Sequence, residues 1–208
     1  MAKVLLFNGS PHEDGCIARA LKEMIGVFEA EGMETEMIHV GNKDIRGCIG
    51  CKSCRERGKC VFDDIVNELA PKLEAADGLV LGSPVYFSGP NGTLISLMDR
   101  LFYSTPFNKQ MKVGASVVNC RRGGNTATFD VLNKYFTVSG MPVAPSTYWN
   151  MTHGYTPEDV EKDLEGLQTM RNLARNMAFM IRAFADAKEK YGLPETEKSF
   201  HTSFPDSK

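Results

Sequence analysis

No run of apolar residues in this chain approaches the roughly 20 that a membrane-crossing helix needs, so no anchor in a bilayer is expected. Positive charge is not in excess either. The 208 residues carry 24 Lys and Arg against 26 Asp and Glu, a formal net charge of -2. That balance leaves no field to hold a phosphate backbone and excludes nucleic acid as an expected partner. A secretory leader is missing: Met1-Ala2-Lys3 runs straight into a short apolar stretch that ends at Gly9, so the expected compartment is the cytoplasm. GxGxxG and the P-loop lysine are missing too, which disfavours a dinucleotide or triphosphate fingerprint. There is no internal repeat, no low-complexity segment and a single tryptophan. The six cysteines, in a reducing compartment, point to metal or redox chemistry rather than disulfides.

Four of those cysteines crowd one stretch, Gly47 to Asp64. Cys48, Cys51, Cys54 and Cys60 are spaced C-x2-C-x2-C-x5-C. Gly47 and Gly50 free the backbone to curl, so the sulfurs can converge. Four convergent thiolates suit an iron–sulfur cluster or a tetrahedral zinc, and the C-x2-C-x2-C opening is closer to cluster runs than to the paired knuckles of zinc ribbons. Arg46, Lys52, Arg55, Arg57 and Lys59 can offset the negative charge of a thiolate-ligated cluster. A loop of free thiols is the plain alternative.

The rest of the chain alternates strand and helix. Val4–Phe7 and Gly78–Gly82 are continuous apolar runs of the kind buried on both faces of a parallel sheet. Thr35–Val40, Val113–Val118 and a last strand within Met141–Tyr148 complete about five strands. Helical spacing recurs at Ile17, Leu21, Met24 and Phe28, and at Leu94, Leu97, Met98 and Leu101. Asp63-Asp64 favours the start of a helix through Ala75, which Pro71 is expected to kink or shorten. Thr156-Pro157-Glu158-Asp159 reads as a capping box opening one long helix to about Tyr191. The architecture is α/β: a doubly wound parallel sheet with helices on both faces. One domain is expected over 1–191, with the cysteine-rich insert at 47–62 and a tail at 192–208.

In such a sheet ligands bind beyond the carboxyl ends of the strands. Three loops there stand out. The first holds Ser10, His12, Cys16, Ile17 and Ala18, where a hydroxyl and the free N–H groups of a helix start can hold a phosphate. The second, Pro84-Val85-Tyr86-Phe87-Ser88-Gly89, is stiff and aromatic and suits a flat heterocycle. The third offers Asn119, Arg121, Arg122, Gly123 and Gly124. A bound flavin mononucleotide explains all three together.

Asn8-Gly9-Ser10-Pro11, Ser83-Pro84-Val85-Tyr86 and Arg121-Arg122-Gly123-Gly124 resemble the NADPH-dependent FMN reductase and iron–sulfur flavoprotein group, whose members are flavodoxin-like. The cysteine spacing is similar to the cluster motif of the iron–sulfur flavoproteins and likewise follows the second strand. The resemblance covers roughly residues 3 to 150. It implies a flavin phosphate held by Ser10 to Ala18, the ring against Pro84 to Gly89 near Asn119 to Gly124, and a homodimer or homotetramer with flavin sites near its interfaces. One departure stands in the phosphate loop: the family's Gly-Asn-Thr is here Gly15-Cys16-Ile17, which leaves more of the phosphate to Ser10 and the backbone.

Trp149 and His153 follow the last strand at the same edge and are candidates for a substrate pocket. Cys120 reads as core, and His39 carries no signal. The expected activity is FMN-dependent oxidation of NADH or NADPH, with quinones, azo or nitro compounds or free flavin as acceptors and a 4Fe-4S cluster at the cysteine loop. No catalytic acid or base is demanded, because the flavin carries the chemistry. The rivals are an electron carrier between redox proteins and a non-redox module with a zinc-bound or bare cysteine loop.

Overall fold

The computed structural model describes residues 1–197, so the part of the expected tail at 198–208 lies outside the described residues. Five strands form one parallel sheet: β1 (Lys3–Asn8), β2 (Glu34–His39), β3 (Gly78–Pro84), β4 (Val113–Cys120) and β5 (Met151–His153), in the order β2-β1-β3-β4-β5. After β2 the chain crosses back over β1 to lay down β3, so the direction of winding reverses between β1 and β3.

Strand side chains alternate between two cores, as the pleat requires. Leu5 and Phe7 of β1, with Leu79 and Leu81 of β3, pack under α3 (Ile65–Ala75), α4 (Gly92–Ser104) and α5 (Asn125–Val138). Val4 and Leu6, with Val80, Val113, Ala115 and Val117, face α1 (Cys16–Ala30) and α7 (Leu164–Tyr191). Burial on both faces is why β1 reads as an unbroken apolar run. Near the start of β4, Gly114 leaves room for a neighbour. A Cβ there would lie 2.4 Å from the Phe136 ring, so α5 comes closer to the strand than any other residue allows.

Two expectations are corrected. The last strand does not lie within Met141–Tyr148: only Val143 bridges to β4, opposite Gly114, and regular pairing waits until β5. Pro142 and Pro145 flank that bridge and cannot donate to a ladder, so the chain bulges away and rejoins opposite Val118. The final helix is not continuous either. The Thr156–Asp159 capping box opens a short α6 (Pro157–Lys162), and Asp163 then ends it and starts α7. The Asp163 carboxylate accepts from Gly166 N–H at 2.9 Å, so a local bond to the backbone competes with continuing the helix. Pro71 sits inside α3, which runs a further turn to Ala75. A four-residue helix, α2 (Cys54–Arg57), lies within the cysteine-rich insert.

Candidate functional site

Where the winding reverses, beyond the carboxyl ends of β1, β3 and β4, lies a cleft of about 770 Å³. Its first wall is the loop after β1. Asn8 is buried and sets that loop: its amide donates to Glu13 O at 2.9 Å and its carbonyl accepts from Ser10 N–H at 3.0 Å. The buried Ser10 Oγ accepts from His12 N–H at 3.2 Å. From the end of β2, His39 Nε2–H donates to Ser10 O at 2.8 Å and so fixes its own tautomer. The loop leads into α1, whose N-cap is Gly15, without a capping side chain. The first helical bond is Arg19 N–H to Gly15 O, so the N–H groups of Cys16, Ile17 and Ala18 precede it. A helix start of this kind faces an anion with free donors and the positive end of its dipole.

The second wall lies beyond β3. Ser83 Oγ accepts from Asn91 N–H at 2.9 Å and donates to Pro84 O at 2.8 Å, joining the strand end to the start of α4. Val85 N–H donates across to Asn119 O at 3.0 Å. Tyr86 and Gly89 then exchange backbone bonds of 2.8 and 2.9 Å around Phe87 and Ser88, both left-handed at φ 49° and 59°. A phenylalanine in that region is strained, on the order of 1–3 kcal/mol, and such strain persists only where neighbours over-determine it. Gly124 is one such neighbour. At φ 95°, a Cβ on it would meet Ser88 Oγ at 2.8 Å and Val85 Cγ1 at 2.9 Å.

The third wall is formed by the end of β4 with the turn at Arg121. Asn119 donates from its amide to Gly154 O at 3.0 Å and accepts from Thr152 Oγ1 at 3.0 Å, so its orientation is fixed. The Arg121 guanidinium lies 5.7 Å from the Tyr155 ring centre. Burial pushes the thiols of Cys16 and Cys120 up from their ordinary range, so both are protonated at neutral pH.

Ser10, His12, Cys16, Ile17, Pro84, Val85, Tyr86, Asn119 and Arg121 line this cleft. Ala18 is buried in the first turn of α1, Gly124 buttresses from behind, and Phe87, Ser88, Gly89, Arg122 and Gly123 lie outside the lining. Cys120 and the segment Gly154–Pro157 also line it, which no local pattern in the sequence signals. Trp149 and His153 open onto a separate cavity of about 240 Å³ with Tyr148 and Asp163. There His153 Nδ1 is 3.6 Å from Asp163 Oδ2, and Asn125 donates to its Nε2 at 3.2 Å.

The cysteine loop forms its own pocket against α4. Cys48, Cys51, Cys54 and Cys60 line one small cavity with Ile49, Phe62, Arg100 and Tyr103, and none of its lining residues is shared with the cleft. Cys60 is buried, whereas Cys48 and Cys51 are exposed. Cys54 donates to Tyr103 O at 3.9 Å, and Gly50 N–H donates to Cys48 Sγ at 3.5 Å. Among the described residues no three His, Cys, Asp or Glu side chains are gathered closely enough to grip a metal ion. Nor is any helix of the described residues long and apolar enough to cross a membrane.

A parallel sheet in the order β2-β1-β3-β4-β5, with an uncapped helix start and a stiff loop facing each other across its switch point, defines a flavodoxin-like protein. Residues 2–156 match the model of the NADPH-dependent FMN reductase family, and the chain belongs to that family. It is therefore an oxidoreductase of the flavoprotein class. It is similar to an iron–sulfur flavoprotein of Methanocaldococcus jannaschii, at 37% identity over 86% of this chain and 97% of that one. In fold it is similar to RosB with a bound 8-demethyl-8-formylriboflavin-5'-phosphate intermediate, with a TM-score of 0.69 and 15% identity, covering 100% of this chain and 94% of the other. A WrbA-like flavodoxin from Agrobacterium tumefaciens is also similar, with a TM-score of 0.56, 19% identity and 88% of this chain matched to 97% of the other.

Proposed function

We propose that the protein holds FMN in the cleft at the switch point, oxidises NADH or NADPH and reduces a small acceptor such as a quinone, an azo or nitro compound or free flavin. The observation that carries this reading is the pairing of unlike walls in one cleft of about 770 Å³. Ser10, His12 and the N–H groups of Cys16, Ile17 and Ala18 suit a phosphate at one end, and Pro84–Tyr86 with Asn119 suit a planar ring at the other. Bound FMN supplies hydride acceptance and electron release. The chain's part is to hold the ring by backbone groups locked through Ser83 and Val85, and to keep Cys16 as a neutral thiol beside it.

The cysteine loop is read as the ligand set of a 4Fe-4S cluster, which supplies one-electron steps when bound. Its donor chemistry fits: four thiols on one cavity, an apolar wall from Ile49 and Phe62, and a buried cation, Arg100, beside Cys60. A homodimer or homotetramer in the cytoplasm completes the reading. A second reading, transfer of electrons between protein partners, is favoured by an open apolar groove beside the loop, lined by Cys48, Phe102, Tyr103, Tyr135 and Val138.

The test is protein purified without oxygen, assayed for FMN, iron and NAD(P)H oxidation with a quinone. Bound FMN with multiple turnovers supports the reductase. FMN and iron with no turnover on small acceptors supports the carrier, and protein that binds no FMN overturns both.

A further inference from the structure

Among the described residues Arg100 is the largest fully buried side chain, 1% exposed, and it stands on α4 away from the flavin cleft. A buried guanidinium is costly unless every donor is used. Here every N–H group has a partner. Nη1 donates to Asp64 Oδ2 at 2.7 Å and to Arg46 O at 3.2 Å, and Nη2 donates to Asp64 Oδ1 at 2.8 Å. The other edge of the fork points at sulfur: Nε and Nη2 each donate to Cys60 Sγ at 3.3 Å. Asp64 is itself held as the N-cap of α3, accepting from Val66 N–H at 3.1 Å, so the fork cannot swing. The Phe62 ring closes the remaining side, 5.0 Å from the guanidinium carbon.

An arginine serving only to pair with Asp64 needs one edge. A neutral thiol is a weak acceptor and gives no reason to commit the second edge to it, whereas a sulfur carrying negative charge accepts two such donors readily. We propose that Arg100 is a positioning residue: it fixes Cys60 Sγ toward the cysteine cavity and, through two N–H···S bonds, raises the reduction potential of the 4Fe-4S cluster held there. The inference rests on the cluster reading of the cysteine loop. Reduction adds one electron and no proton to such a site, and hydrogen bonds to sulfur stabilise the more negative state more strongly. Arg100 therefore favours the reduced form.

The experiment compares the wild type with Arg100→Lys and Arg100→Gln, purified without oxygen. Iron, sulfide and FMN are measured first, then the potentials of cluster and flavin by spectroelectrochemistry. Arg100→Lys keeps the buried charge and a partner for Asp64 but lacks the forked pair of donors. It is expected to keep FMN and its flavin potential, and to reduce its cluster at least tenfold less favourably, a fall of about 59 mV for a one-electron couple. Arg100→Gln should shift in the same direction with a lower Tm. Loss of iron from Arg100→Lys with FMN retained also supports the assignment. A wild type with cluster and a lysine variant with unchanged iron and unchanged cluster potential overturns it. A wild type without iron overturns the cluster reading itself, which is a separate failure. Should neither variant fold, resonance Raman spectra of wild-type protein produced in D2O and in H2O decide: the Fe–S(Cys) bands must differ, and identical bands exclude the N–H···S bonds.

Discussion

Gly124 carries two constraints at once. Its φ of 95° suits glycine, and its missing Cβ is the space into which Ser88 and Val85 pack. Gly124→Ala must therefore push the strained Phe87–Ser88 turn away from β4, at more than about 1 kcal/mol. Because Val85 and Tyr86 line the cleft beside that turn, FMN affinity should weaken about tenfold, equivalent to roughly 1.4 kcal/mol. Fluorescence titration with FMN measures it, and an unchanged Kd means the turn does not shape the cleft. Asp163 also has several partners: it caps α7, accepts from His153 N–H at 2.7 Å and faces the His153 ring. Asp163→Ala should cost about 1–2 kcal/mol, read as a lower Tm, with Asp163→Asn recovering most of the loss. Neither residue advertises itself in the sequence. Gly124 stands in a run whose arginines draw the eye, and Asp163 lies in the middle of an apparently unbroken helical stripe.

At the scale of elements, α1 and α7 are tied by charge as well as by core packing. Glu23 on α1 takes hydrogen bonds from Arg171 of α7 and, at 2.9 Å, from Arg19. Burial alone would push its carboxyl up, but the two arginines outweigh it and hold it below the ordinary value of 4.5. A carboxyl depressed on folding adds stability above its unfolded pKa and loses it as pH falls through the folded one. The wild type should lose about 1 kcal/mol through this pair on acidification below 4.5. Glu23→Gln should show a correspondingly flatter urea midpoint against pH, and parallel curves would exclude the pair as a source. The elements themselves were largely readable. Buried parallel strands announce themselves as apolar runs, and α1 and α4 by their period. The failures have a common cause in backbone donors. Prolines at 142 and 145 silenced the ladder in a segment whose apolar content promised a strand, and an aspartate recruited Gly166 N–H where periodicity promised continuity.

For the whole molecule, the two loops richest in chemistry serve separate cavities with no residue in common. If the loop holds the proposed cluster, Cys54→Ser should abolish iron retention while leaving FMN content within about twofold of the wild type. Concurrent loss of FMN would mean the two sites fold as one. Some cleft residues carry no local signal. Gly154–Pro157 reach the cleft because β5 pairs beside β4, a long-range placement that no local pattern encodes, and His39 acts through a backbone carbonyl of another loop.

α4 touches both territories. It is nailed at one end by Asn91, whose N–H bonds to Ser83 beside the cleft wall at Pro84, and it offers Arg100 to the cysteine pocket further along. Each residue of an α-helix turns the next by about 100°. A single alanine inserted between Asn91 and Arg100 would rotate the guanidinium out of reach of Cys60 and turn the buried Leu101 away from the sheet with it. The angular phase of one helix, more than its length or composition, sets the aim of that guanidinium at the cysteine pocket.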